Sequence, residues 1–134
     1  DGVTPTAVEE IVRMASPVTH FRRTVTADGV RLGGHEFAAG DKVVLWYNSA
    51  NRDEAVFDGP DRFDVRRDPN PHVGFGGPGP HFCLGAHLAR REVDVMFRHL
   101  LTRLPDIHST AQPDRLRSNF VNGIKHLPCE WTPA

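Results

Sequence analysis

The sequence has little cysteine, no excess charge of either sign and no long apolar run. Cys83 and Cys129 are its only cysteines, and one possible bridge is not the disulfide framework of a small secreted protein, so a reducing, cytoplasmic setting is expected. The 16 Lys and Arg residues against 17 Asp and Glu residues give a formal net charge of -1, so we expect no nucleic-acid partner. No segment approaches the roughly 18 apolar residues of a membrane span, and none is predicted.

The residues that are present, 39% hydrophobic and 25% charged, are the mixture of one ordinary globular domain. We therefore expect residues 1–134 to form a single unit. The first residue is Asp1 and a helix is predicted almost directly after it, so we also expect the chain to be part of something larger.

The first helix is predicted from its cap and its apolar face. Thr6 and Glu9 have the capping-box spacing, in which two side-chain oxygens accept hydrogen bonds from unpaired backbone N–H groups. Apolar residues recur at helical spacing from Val8 to Ala15. Because Pro17 disfavours helical backbone in the residue before it, the helix should run from about Thr6 to Ala15.

Turn residues and apolar runs predict a small β component after this helix. Asp28-Gly29 is typical of a two-residue hairpin turn, so the segments beside it should pair with each other. The continuous apolar run of residues 43–47 favours a strand covered on both faces. The predicted strands are residues 24–27, 30–32, 35–37 and 43–47.

The second half is predicted to contain a rigid loop and the longest helix. Periodicity fades over residues 48–72, and glycine and proline dominate residues 69–80, which excludes a helix or a central strand there. Residues 84–104 have an apolar stripe at helical spacing and end before a proline. Short strands around a turn are expected at 119–123 and 125–131.

The residues able to carry chemistry are concentrated where the loop meets the long helix. Cys83 falls at the first turn of that helix, where backbone N–H groups and the helix dipole favour a thiolate, as a nucleophile or a metal ligand. Glycines in residues 76–79 allow a flat or bulky group to approach, and the prolines hold the loop without N–H donors. A small buried hydrophobe is the other interpretation of Cys83, and spacing alone does not exclude it.

The run from Phe75 to Gly85, FGGPGPHFCLG, resembles the haem-ligand loop of the cytochrome P450 monooxygenases. Two further marks of that family occur in order, since residues 10–13 (EIVR) match its E-x-x-R helix and residues 60–63 (PDRF) match its P-E-R-F-like meander motif. The resemblance covers essentially the whole chain and corresponds to the C-terminal third of the family's fold, with the N-terminal two thirds absent. It implies an α+β, mainly α unit ordered as E-x-x-R helix, small β-sheet, meander, Cys loop, long proximal helix and terminal β-hairpin.

The Cys loop departs from the usual family pattern by one residue. Phe75 lies eight residues before Cys83, whereas the usual distance is seven. This longer loop and the run FVNGIKHLP at residues 120–128 resemble the actinobacterial and mycobacterial P450s that oxidise sterols and methyl-branched lipids. The resemblance implies insertion of one atom of O2 into a C–H bond of an apolar, sterol-like or branched-lipid-like substrate, with electrons from a ferredoxin or similar donor.

The resemblance also implies haem b, iron protoporphyrin IX, as the cofactor. Cys83 is then the axial thiolate ligand of the iron and the catalytic residue, and backbone N–H groups around Gly85 would donate to its sulfur. His81 and Arg22 match family positions that bind a haem propionate, and His20 would border the same groups. The remaining cofactor contacts carried over are Phe75 and Gly76.

Two other sets of residues take roles from the resemblance. Glu10 and Arg13 alone would be an exposed pair worth a few tenths of a kcal/mol, but the resemblance implies that they form a buried structural triad with Arg62. Four residues would line the substrate pocket, although ordinary core packing is the alternative from the residues alone. They are Val18, Thr19, Phe120 and Val121.

Two alternatives to this interpretation differ in strength. A zinc site formed by the histidines and the two cysteines is disfavoured, because these residues do not have the spacing of such a site. A stronger alternative is a non-catalytic fragment, or half of a split protein, that only binds haem or associates with a partner chain.

Overall fold

The computed structural model describes residues 4–132. Helix α1 (Pro5–Ala15) begins after Thr4, whose hydroxyl accepts from the N–H of Ala7 at 3.2 Å. A proline occupies its first position, where no N–H is needed. The helix ends at Ser16, which adopts the left-handed region with φ 37°. The predicted helix is confirmed, and its end matches.

The predicted capping box is wrong. Thr6 lies inside α1, and its hydroxyl shares a 2.8 Å hydrogen bond with that of Thr4. Glu9 does not turn back to the start of the helix, because its carboxylate is bound by Arg90 and His72 from distant parts of the chain. The cap is therefore the residue before the proline.

Two antiparallel two-stranded sheets follow α1. Strand β1 (His20–Thr24) pairs with β4 (Lys42–Trp46), and β2 (Val30–Leu32) pairs with β3 (His35–Phe37). Three predicted strands are confirmed to within one residue, those at 30–32, 35–37 and 43–47. The strand predicted at 24–27 is displaced toward the N-terminus, because β1 ends at Thr24.

The predicted hairpin around Asp28-Gly29 is wrong. Gly33 and Gly34 both have positive φ, 57° and 79°, and they form the tight turn that joins β2 to β3. β1 is then left to pair with β4. Residues 4–132 alone do not cover β4 on both faces as expected, because Val44, Leu45 and Trp46 are each more than a third exposed.

An irregular segment connects the sheets to the longest helix. Helix α2 (Tyr47–Ala50) is a single turn directly after β4, and helix α3 (Ala86–Arg103) follows the glycine-rich and proline-rich loop. The predicted loop is confirmed, and α3 lies within two residues of the predicted helix. No helix among residues 4–132 is both long and apolar enough to cross a bilayer.

The terminal part forms an antiparallel hairpin whose strands differ from the predicted ones. β6 (Asp114–Arg115) pairs with β7 (Ile124–His126), and β5 (His108–Ser109) pairs with β8 (Cys129–Glu130). The sequence predicts short strands around a turn at 119–123 and 125–131. Both segments pair instead mainly with earlier residues. The described residues form the expected mixture of helices and small sheets.

The centre of the fold is small and partly polar. Ala7 and Val8 of α1 form the buried apolar cluster, against which Val93 and Phe97 of α3 pack. The largest side chains that are wholly buried are polar, and all are hydrogen-bonded: Arg13, Glu10, Asn51 and Ser16. This polar centre connects α1 to the segment that leads into the Cys loop.

Candidate functional site

Cys83 lies on the surface of the described chain, two residues before Gly85, the N-cap of α3, and not in the first turn of the helix as predicted. The residue is exposed, its N–H donates to the carbonyl of Phe75 at 3.0 Å, and its carbonyl accepts from Ala86 at 3.2 Å. A Cβ on Gly85 would be 3.9 Å from Sγ, so the backbone of Gly85 passes close to the sulfur. Within residues 4–132, Cys83 is therefore not part of a packed core.

The loop before Cys83 is fixed to the first half of the chain. The amide of Asn51 accepts from the N–H of Val73 at 2.8 Å. Gly74 packs so tightly against α1 that a Cβ there would be 2.7 Å from Cγ1 of Val12. Gly76 has φ 88°, which any residue with a side chain adopts only with strain. The loop is thus a preformed structure that presents Cys83.

Two neighbouring cavities open beside this loop. The smaller, about 370 Å³, is lined by Cys83 and Phe75 together with Val18 and Phe21. The larger, about 460 Å³, is bordered by β4 and by residues 77–80. The side chains common to both are Arg23, Tyr47 and His81.

The structure brings His81 to the cavity but not Arg22. Successive side chains of β1 point to opposite faces, so Phe21 and Arg23 face the cavities while Arg22 does not line them. The guanidinium of Arg23 lies 5.3 Å from the ring centroid of Phe21, and it donates to the backbone carbonyl of Arg22 at 3.2 Å. Arg23, and not the predicted Arg22, is therefore the arginine that lines these two cavities.

His20 lies in an aromatic contact instead of beside His81. Its ring is 4.8 Å from that of Trp46 and 5.9 Å from that of Phe120, measured between centroids. Its Nδ1 is 3.0 Å from the Thr19 hydroxyl. His20 does not line either of the cavities described above, so it is not placed with the predicted propionate contacts.

The four residues predicted for a substrate pocket come together. Val18 and Val121 form an isolated β-bridge, and Thr19 N–H donates to the carbonyl of Phe120 at 2.9 Å. Val18 also lines the cavity that contains Cys83. Phe120 and Val121 are each more than a third exposed.

The predicted Glu10–Arg13 pair is buried, as expected. Nε of Arg13 is 2.7 Å from Oε2 of Glu10, and Nη2 is 2.8 Å from Oε1. The same guanidinium donates to the carbonyls of Asn51, Pro60 and Arg62. Both side chains are fully buried, so this pair joins α1 to the meander.

The third member of the cluster is Arg67, and the prediction of Arg62 is wrong. The side chain of Arg62 is 65% exposed and reaches Asp64 at 3.4 Å, so only its backbone carbonyl enters the cluster. The side chain of Arg67 is 9% exposed, with Nε 3.2 Å from Oε2 of Glu10. It also donates to the carbonyls of Asp58, Gly59 and Arg62.

Electrostatics favour the charged form of Glu10. Burial raises the pKa of this carboxyl, but hydrogen bonds from Arg13 and from the Asp64 N–H, with the charges of Arg13 and Arg67, outweigh burial. The pKa falls from 4.5 to about 2. Glu10 is therefore an anion that its partners hold in place.

A second ion-pair network links α1, α3 and the Cys loop. Glu9 accepts from Arg90 of α3 and lies 2.8 Å from Nε2 of His72. Because Gly74 N–H donates to Nδ1 of His72, Nε2 must carry the proton and donate to Glu9. The Arg90 guanidinium lies 4.5 Å from the ring centroid of Phe75, the residue whose carbonyl accepts from Cys83.

This network shifts the titration of its members. The hydrogen bond from Arg90 lowers the pKa of Glu9 against the opposing effect of burial, and His72 lowers it further. The hydrogen bond to Glu9 raises the pKa of Arg90. Sequence reasoning missed the network because its members are far apart in the chain, and periodicity carries no signal of such a contact.

The described residues contain no group of three His, Cys, Asp or Glu side chains arranged to hold a metal ion. Cys83 and Cys129 are both free. The chemistry available at this site is thus a single exposed sulfur beside a cavity that presents a guanidinium and an imidazole.

Known proteins resemble this chain closely. The cytochrome P450 family model matches residues 3–127. The methyl-branched lipid omega-hydroxylase of Mycobacterium tuberculosis is 60% identical over 132 residues, which are 98% of this chain and 31% of that relative. The steroid C26-monooxygenase of Rhodococcus jostii is 50% identical over 129 residues, 96% of this chain and 27% of that relative. The chain therefore spans under a third of the length of these curated relatives, in their C-terminal part.

Solved structures agree in backbone geometry. Cytochrome P450 CYP268A2 of Mycobacterium marinum, in complex with pseudoionone, has a TM-score of 0.90 and 54% identity, covering 94% of this chain and 30% of that one. P450 OxyD, involved in the biosynthesis of vancomycin-type antibiotics, has a TM-score of 0.92 and 42% identity, covering 97% of this chain and 33% of that one. Since the family model spans nearly the whole sequence and the fold agrees with solved members, this chain belongs to the cytochrome P450 family.

Proposed function

We propose that residues 1–134 form the C-terminal, haem-binding part of a single P450 domain, with Cys83 as the axial ligand of haem b. The observation that carries the proposal is the exposed Cys83 sulfur at the wall of a cavity that also contains Arg23 and His81. These residues fit the cofactor: a thiolate suits iron, and a guanidinium and an imidazole suit the carboxylates of the porphyrin. Gly76 has no side chain, which leaves room for the cofactor beside the loop.

When bound, the haem supplies activation of dioxygen for insertion of one oxygen atom into a C–H bond. The protein residues have other tasks. The Phe75 carbonyl and the Ala86 N–H at the start of α3 hold Cys83 in place. We propose that the backbone N–H of Gly85, whose Cα lies close to Sγ, donates to the thiolate in the haem-bound chain. We assign carboxylate binding to Arg23 and His81, with Arg23 in the role predicted for Arg22.

The proposed substrate is an apolar molecule, sterol-like or similar to a methyl-branched lipid. Support comes from the names of the two curated relatives and from the apolar side chains of Val18, Phe120 and Val121, which lie together next to the Cys83 cavity. We propose these side chains, with Thr19, as part of the wall against which the substrate packs. A ferredoxin or similar protein is the proposed electron donor. The proposed setting is a reducing cytoplasm, which agrees with the absence of a disulfide between Cys83 and Cys129.

The test is the absorption spectrum of the chain reconstituted with haem, reduced and exposed to CO. A thiolate opposite CO shifts the Soret band to the red, so the wild type and Cys129→Ala should show this band and Cys83→Ala should lose it. The Cys129 variant is a matched control, because it removes the other free cysteine. A band that survives in Cys83→Ala, or that is absent in the wild type, would contradict the assignment.

A second candidate is a non-catalytic chain, or half of a split protein, that associates with a partner. The observation that favours it is the exposure of large apolar side chains on β4, including Trp46. Such a chain would give the same CO spectrum but no product from a sterol or branched lipid when an electron donor is supplied. Product formation would exclude this candidate.

A further inference from the structure

Tyr47 is a buried polar residue that has no role in the site described above. It is 8% exposed, begins α2 and borders both cavities beside the Cys loop. Its backbone is fixed on both sides, since its N–H donates to the carbonyl of Thr19 at 2.9 Å and its carbonyl accepts from Asn51 at 2.8 Å. Its ring lies 5.7 Å from that of Phe21. The side chain is therefore held in one place.

The hydroxyl of Tyr47 points to the Cys loop. A Cβ on Gly76 would be 3.6 Å from Oη, and this glycine lies in the wall of the Cys83 cavity. Within residues 4–132, no side chain or carbonyl forms a hydrogen bond with this hydroxyl. The hydroxyl is not among the buried polar atoms that lack a partner, so it is open to the cavity although most of the side chain is buried. It can therefore donate to an acceptor that the cavity receives.

The charges around the cavities define that acceptor. Among the described residues that line either cavity, the basic side chains are Arg23 and His81, and no carboxylate is among them. Arg23 can only donate, and His81 carries a donor N–H in every protonation state. Three donors around one space match an anion with several acceptor oxygens.

We propose that the Tyr47 hydroxyl donates a hydrogen bond to a carboxylate of the bound porphyrin, next to Arg23 and His81. This inference rests on the proposed haem site. It makes Tyr47 a third polar contact for the cofactor and α2 a part of the cofactor-binding structure. The bond also explains why a polar residue is buried among Phe21 and the glycines of the loop.

The test compares Tyr47→Phe with the wild-type chain in titrations with haem. The substitution removes only Oη and keeps the ring that packs on Phe21. Loss of one hydrogen bond to a charged acceptor should weaken haem binding about tenfold. The matched ligand is the iron porphyrin dimethyl ester, which has no carboxylates, and with it the two chains should bind equally.

A second readout uses the single tyrosine of the sequence. With tyrosine labelled at the ring carbon that bears the hydroxyl, the NMR signal of this carbon needs no assignment. It should shift when zinc protoporphyrin binds, and it should shift less with the dimethyl ester. Zinc keeps the complex diamagnetic.

The outcomes separate this inference from the proposed function. If the wild type binds haem with a thiolate spectrum and Tyr47→Phe binds both porphyrins as tightly, the inference alone is overturned. If Tyr47→Phe weakens both porphyrins to the same extent, the residue acts through packing and the inference also fails. If the wild type binds no haem, the proposed function fails and the inference fails with it.

Discussion

Arg90 on α3 binds Glu9 on α1 in a bidentate ion pair, with Nε 2.6 Å from Oε1 and Nη2 2.9 Å from Oε2. The same guanidinium lies over the ring of Phe75, so one side chain connects the two helices with the Cys loop. A lysine reproduces the charge but neither the planar fork nor the stacking.

We therefore expect Arg90→Lys to destabilise the chain by about 1 kcal/mol, which chemical denaturation would measure. Arg91→Lys is the matched control, because Arg91 is exposed and only reaches Asp94 at 3.4 Å. Equal stability of the two variants would show that the bidentate geometry has no energetic role.

The Glu10 cluster predicts a dependence of stability on pH. The pKa of Glu10 is about 2 in the folded chain and near 4.5 when unfolded, so the folded state binds the proton more weakly. Its stabilisation, on the order of 3 kcal/mol, is fully present above pH 4.5 and is lost as the pH falls through about 2. The lowered pKa of Glu9 acts in the same direction.

Denaturation curves between pH 7 and pH 2 would measure this effect. The fall in unfolding free energy should be shallower in Glu10→Gln than in the wild type. Glu54→Gln changes an exposed carboxyl and should keep the wild-type slope. An unchanged slope in Glu10→Gln would refute the assignment of the pH effect to this carboxyl.

Arg67 and Arg62 should differ strongly in their importance for stability. Arg67→Ala removes a buried partner of Glu10 and the donor of the Asp58 carbonyl, so we expect a loss of ~3 kcal/mol. Arg62→Ala removes an exposed side chain and keeps the backbone carbonyl, so the loss should stay under about 1 kcal/mol. Urea unfolding of both variants measures these losses of stability. A larger loss for Arg62→Ala would support the triad of Glu10, Arg13 and Arg62 that the resemblance implies.

Gly74 and Gly77 provide a matched test of the fit between the Cys loop and α1. A methyl group on Gly74 would meet Val12 at 2.7 Å and Nδ1 of His72 at 3.1 Å, whereas one on Gly77 would meet nothing within 4 Å. We expect Gly74→Ala to cost ~1–3 kcal/mol and Gly77→Ala to change stability by less than about 0.5 kcal/mol. Thermal unfolding measures both, and a neutral Gly74→Ala would mean that the loop can move away from α1.

The two neighbouring arginines of β1 should contribute unequally to cofactor binding. Arg23→Gln removes a charged donor from both cavities, so haem affinity should fall about tenfold or more. Arg22→Gln changes a side chain on the other face and should leave the affinity within about twofold. Haem titrations of the two variants measure these affinities. A larger loss of affinity in Arg22→Gln than in Arg23→Gln would support Arg22 as the propionate contact.

The parts of this fold that the sequence predicts best are those determined by residues close to one another along the chain. α3 follows from its apolar period and the proline after it, and the Cys loop follows from glycine and proline content. Strand pairing depends on which of two possible turns forms a hairpin, and the structure has the hairpin at Gly33-Gly34 and not at Asp28-Gly29.

The site residues that sequence reasoning misses are those chosen by three-dimensional geometry. Arg22 and Arg23 have the same chemistry. Successive side chains of β1 point to opposite faces, and this alternation determines that Arg23 faces the cavity. Arg62 belongs to the recognised motif, yet its side chain points away and Arg67 reaches Glu10 instead. The resemblance locates the sequence motif, but contacts between distant residues identify the group that acts.

The contact between the segment after α1 and the terminal hairpin has a consequence for the order of folding. The hydroxyl of Thr19 donates to the carbonyl of Asn119, 100 residues away, and the amide of Asn122 donates to the carbonyl of Ala15, 107 residues away. Closing a loop of that length costs on the order of 2 kcal/mol more in chain entropy than closing the short β2–β3 hairpin. The wall that contains Val18 and Val121 should therefore assemble late, after local hairpins and helices have formed, and its contacts should slow unfolding more than they speed folding.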